Sequence, residues 1–141
     1  MSRRDRAVIW FGRLVIGATT FIMVAIAIRQ LGDPLGAARA MDIVLRSPSA
    51  VTIARVGLGG FPLGFAIALA SCLTSSRRLL IGLWLVAAVV GGATVARVQG
   101  LVLDGATPYN LRLLGPEVTL MVLSFTAITL ERRRSRRSLT S

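Results

Sequence analysis

Residues 79–103 read LLIGLWLVAAVVGGATVARVQGLVL, an apolar run from Leu79 to Leu103 that carries a single charge, Arg97. It is longer than the roughly 20 residues that a helix needs to cross hydrocarbon. Three further runs share its character. Ala7–Ile28 is broken only by Arg13, Val51–Leu73 carries Arg55 near its start, and Leu113–Leu130 carries Glu117 near its start. The chain is 54% hydrophobic with a mean hydropathy of +0.71, more apolar surface than a soluble domain of 141 residues buries. The expected fold is therefore all-α: an integral membrane four-helix bundle in one domain, residues 1–141, with little chain left for a soluble catalytic lobe. Thr74-Ser75-Ser76-Arg77-Arg78 is a link short enough to make its flanking spans antiparallel neighbours. Asp104-Gly105-Ala106-Thr107-Pro108 reads as the next turn.

The net charge is +11, and every basic residue is an arginine, with neither lysine nor histidine present. The arginines flank apolar runs and lack the interleaved aromatics that stack bases, so anionic lipid head groups are the expected partner and nucleic acid is not. Arg3, Arg4, Arg6, Arg77, Arg78, Arg132, Arg133, Arg134, Arg136 and Arg137 fall on one side of the four spans. Arg29, Arg39, Arg46 and Arg112 fall on the other, diluted by Asp33, Asp42 and Asp104. Positive residues stay inside, which places both termini in the cytoplasm. The tail from Glu131 onward then acts as a topology determinant against anionic lipid, docking of a partner being the second reading. A basic start before an apolar run also resembles an export signal, with Ala25-Ile26-Ala27 as its cleavage site and Ser2-Arg3-Arg4 as a weak twin-arginine match. The length of the run and the arrival of Arg29 favour a retained span. Trp10 and Tyr109 are placed to anchor interfaces, and Trp84 lies deeper.

Between the first two spans, Asp33–Arg46 reads as a short interfacial helix, with Asp33 as N-cap and Pro34 in the first turn. Leu35, Ala38, Met41 and Leu45 make one face, and Arg39, Asp42 and Arg46 the other. Ser47-Pro48-Ser49 ends that helix and opens the second span. In the second span Arg55, Gly59 and Pro62 share a face, Gly60 and Gly64 form a small-xxx-small pair that permits self-association, and Pro62 favours a bend.

Counted from the ends of their runs, Arg55, Arg97 and Glu117 all lie roughly 6 to 9 Å inside the outer boundary. A charge in hydrocarbon costs about 2.5 to 3.5 kcal/mol on insertion scales, so three at one depth call for mutual pairing or a common ligand. Asp104 aligns with Arg97 and is a candidate partner for it at the surface. Two arginines against one glutamate leave a positive surplus, which fits an anionic lipid or small anion held by Arg55, Arg97, Asp104 and Glu117. Two alternatives stand beside this reading. One is a purely structural scaffold with an internal salt bridge, and the other a proton-coupled transporter using Glu117. No nucleophile with a base, no metal set and no nucleotide loop marks an enzyme, and no cofactor is expected. The lone Cys72 reads as a small packing residue.

Ala54-Arg55-Val56-Gly57-Leu58-Gly59-Gly60-Phe61, Ala96-Arg97-Val98-Gln99-Gly100-Leu101, Asp104-Gly105 and Glu117, in that order and spacing, resemble the small four-span bacterial membrane proteins grouped as domain of unknown function 4345. The resemblance covers three of the four spans. It implies that Arg55, Arg97, Asp104 and Glu117 are characteristic polar positions, and it implies no activity.

Overall fold

The computed structural model describes residues 3–137; Ser2 of the twin-arginine match and residues 138–141 of the basic tail lie outside them. The described chain is helical and contains no strand. Helix α1 spans Arg3–Gly32, α2 Pro34–Arg39 and α3 Pro48–Ala54. A π-helical turn over Arg55–Gly60 leads into α4, Phe61–Leu73; α5 spans Leu79–Leu103 and α6 Pro108–Arg137. Four helical stretches are long and apolar enough to cross a membrane: α1, the continuous Pro48–Leu73, α5, and α6. This is a multi-pass membrane architecture.

The limits of α5 coincide with the apolar run. Its C-terminal end is closed by the Asp104 N–H, which donates to the Gly100 carbonyl at 2.8 Å. Gly105 follows at φ +90°, a left-handed position that suits a residue without Cβ. The chain re-enters helix sooner than hydropathy suggests. Asn110 N–H donates to Thr107 Oγ1 at 3.2 Å and Leu111 N–H to the Thr107 carbonyl at 3.1 Å, so Thr107 caps α6 and Pro108 takes its first position. The fourth span expected from Leu113 thus begins five residues earlier, and its helix continues past Leu130 into the arginines. Likewise α1 extends beyond the expected Ala7–Ile28 at both ends.

The surface helix is shorter than Asp33–Arg46. Its start is as expected, since Asp33 Oδ1 accepts from Gly36 N–H at 2.9 Å with Pro34 next in line. It ends at Arg39 because Ile43 N–H returns to the Ala38 carbonyl at 2.9 Å and Asp42 N–H to Arg39 at 3.1 Å, with Asp42 at φ 58°. These two bonds around a left-handed residue make a Schellman stop, with an aspartate where glycine is more usual. Ser47 then caps α3 by accepting from Ala50 N–H at 3.1 Å.

The bend expected at Pro62 is absorbed upstream. Proline cannot donate to the Leu58 carbonyl, and the turn before it widens so that Phe61 N–H reaches back to the Val56 carbonyl. One extra residue in a turn rotates what precedes it by about 100° relative to a continuous α-helix. The alignment of Arg55 with Gly59 is lost as a result: Gly59 is buried against Leu31 of α1, while Arg55 is exposed.

The core lies toward the end of the bundle that carries both chain termini. Ile16, Leu69, Leu79, Leu83 and Val86 are fully buried there, joined by Ile9, Val15, Ala127 and Ile128. Helices α1, α4 and α5 meet around Gly82, where an added Cβ would stand 2.7 Å from Ile16 Cδ1 and 2.8 Å from Cys72 Cβ. Cys72 is buried in this contact, as a packing residue should be. Outside the core, large apolar side chains such as Phe21, Phe61 and Val102 are exposed. In water such a surface would be costly, and in lipid it is ordinary.

Candidate functional site

Helices α5 and α6 pack against each other, and Arg97 and Glu117 lie between them. Arg97 Nε donates to Glu117 Oε2 at 2.8 Å and Nη2 donates to Oε1 at 2.7 Å, a bidentate pair in which both faces of the fork are matched. The remaining terminal nitrogen, Nη1, donates to Asn110 Oδ1 at 2.9 Å. The pair is partly shielded, with the two side chains 19% and 18% exposed.

Local structure explains how three side chains converge. Asn110 and Glu117 are seven residues apart on α6, two turns along one face, and Arg97 reaches that face from α5. Between them sits Pro116, whose missing N–H leaves the Arg112 carbonyl without its helical donor. Arg97 therefore bonds side chains on both sides of the weakened turn. Thr107, through its cap, sets where the helix begins and so where Asn110 points.

Of the four residues expected to share a site, the structure joins Arg97 to Glu117 and leaves the other two outside the hydrogen-bonded cluster. Arg55 makes no ion pair among the described residues, because the π-helical turn carries it away from the buried face. Asp104 is exposed at the end of α5 and does not bond Arg97. Ser124, aligned with Glu117 two turns on, is buried and spends its hydroxyl on the Leu120 carbonyl at 2.7 Å. Sequence reasoning passed over Asn110. The signal available was its seven-residue spacing from Glu117 in the first turn of a helix.

A second polar contact lies at the opposite end of α6. Glu131, read from sequence as the first residue of the tail, is 2% exposed, more deeply buried than any other charged residue described. Arg134, three residues on, donates from Nε to its Oε2 at 2.9 Å. Arg4, Asp5 and Val8 of α1 line a crevice with Leu130, Arg133 and Arg134 of α6, which brings the two terminal segments together. Nearby, the Arg132 guanidinium lies 5.1 Å from the centre of the Trp84 ring, and Trp84 meets Phe125 edge-on at 6.2 Å. Arg13, the one charge inside the first apolar run, lies 5.8 Å from the centre of the Trp10 ring. No group of metal-ligating side chains occurs among the described residues.

No family model, no curated protein and no solved structure matches the chain.

Proposed function

We propose that this chain is a non-enzymatic accessory protein of the bacterial inner membrane, with both termini cytoplasmic, in which the Arg97–Glu117 pair is an internal clamp between α5 and α6. The observation that carries this reading is the bidentate geometry. Glu117 satisfies two donors of the guanidinium, Asn110 takes a third, and the charges cancel. A neutral, internally bonded pair has less to offer a small anion than two free arginines would. Proton-coupled transport is supported less again, since each cycle would require Glu117 to release Arg97 and leave a guanidinium without its acceptor. The distribution of arginines supports the orientation, and the motif resemblance supports the bacterial setting.

A double-mutant cycle on the full chain in mild detergent tests the clamp. Arg97→Gln and Glu117→Gln each lower unfolding stability, and the double variant loses less than the sum, with a coupling of about 1–2 kcal/mol. Additive losses would refute the clamp. So would an unchanged stability in Arg97→Gln together with loss of a bound anion. Reporter fusions at each terminus test the orientation separately.

A further inference from the structure

Helices α4 and α5 touch at Cys72 and Gly82, but farther from the chain termini they leave a groove of about 630 Å³. Its walls are Met23 of α1, Val56 and Gly57 of the π-helical turn, Phe61 and Phe65 of α4, and Val89 of α5. Nothing polar other than backbone lines it. A Cβ placed on Gly57 or Gly64 would meet no atom within 4 Å, so the floor is open rather than closed by a neighbouring helix. At its outer end, directly before Val56, stands the exposed Arg55, which no carboxylate of the described residues pairs.

We propose that this groove holds one acyl chain of an anionic phospholipid, with the lipid phosphate paired to the Arg55 guanidinium. The dimensions fit one leaflet. From Val56 to Phe65 a helix rises roughly 14 Å, about half of a hydrocarbon core some 30 Å thick. The chemistry fits as well. Arginine's planar fork matches phosphate oxygens, and its long stem reaches up toward the head groups from a shallow position. A second copy of this chain suits the groove less. Symmetric packing on the same face would bring two Arg55 side chains together, and residues 48–73 contain no acid to separate them. The widened turn now has a role: it points Arg55 out of the bundle and places small residues below it. This inference is independent of the clamp, since neither Arg55 nor the groove touches Arg97 or Glu117 in any hydrogen bond of the structure.

The test uses the full chain reconstituted in vesicles of mixed phosphatidylcholine and phosphatidylglycerol, then recovered in mild detergent, with retained lipid read by native mass spectrometry. Phosphatidylglycerol is expected to be retained over phosphatidylcholine. Arg55→Gln reduces that preference about tenfold, the value of one charge-assisted hydrogen-bonded contact. Gly64→Leu, which fills open space, lowers retention of both lipids while the unfolding midpoint holds. An unchanged preference in Arg55→Gln, or unchanged retention in Gly64→Leu, overturns the proposal. A dimer that Gly64→Leu converts to monomer with lipid retention intact would do the same, and would make the occupant a second copy.

Discussion

The two ends of the bundle are held by different physics. Near the termini, Ile16, Leu69, Leu79, Leu83 and Val86 from three helices are fully buried, and the deeply buried Glu131 finds its partner Arg134 within its own helix. At the far end the side chains are smaller or exposed, α4 stands apart from α5 around a groove, and one ion pair joins α5 to α6. Lipid tails are as apolar as leucine, so burial alone gives helices little reason to associate in a membrane; close packing and hydrogen bonds must do it. Close packing serves the first end, where Gly82 lets three helices approach. At the second end Gly59 seats the π-helical turn on Leu31 of α1, and the hydrogen-bonded pair joins α5 to α6, which leaves α4 free of the clamp.

The same substitution is expected to have opposite outcomes at the two ends. Gly82→Leu forces a Cβ to within 3 Å of Ile16 and Cys72, and is expected to abolish recovery of folded protein in size-exclusion chromatography. Gly64→Leu leaves that recovery intact. Leu83→Ala comes next, removing a fully buried side chain at a loss of about 2–5 kcal/mol in a denaturant titration. A loss below that range would mean that the packed end collapses around cavities more readily than its burial implies. The smallest effect belongs to Asn110→Ala, which removes one acceptor from Arg97 and lowers stability by about 0.5–1.5 kcal/mol. That loss should vanish in an Arg97→Gln background; if it persists, Asn110 acts within the first turn of α6 and not through the guanidinium.

Features written in local chemistry were legible from sequence. Leu79–Leu103 matches α5 because polar turn residues bracket it on both sides. Asp33 is a cap as expected, and Ser47, in the break expected to open the second span, is a cap as well, each being followed by a proline that suits a first helical position. Cys72 packs. The pairing of Arg97 with Glu117 was among the readings open, on the ground that charges at one depth seek each other. Features that depend on how backbone bonds are shared were not. The π-helical turn before Pro62 shifts the helical register, and nothing in the spacing of Arg55 and Gly59 reveals that shift. Asp42 ends α2 by adopting a left-handed conformation, which overrides the amphipathic pattern of Asp33–Arg46. Hydropathy placed the start of the last span at Leu113 because Asn110 and Arg112 are polar, although the cap at Thr107 extends the helix through both. Burial of Glu131 was hidden by the arginines that follow it.

Proline within a helix interior weakens it by about 3 kcal/mol, and Pro116 does so in the turn that separates Asn110 from Glu117. Because Arg97 bonds one side chain before that turn and one after it, the guanidinium works as a splint across a stretch that lacks one of its own backbone bonds. Loosen the arginine, and the residues toward Pro108 are expected to gain a hinge while those toward the arginine-rich end keep their contacts with α1.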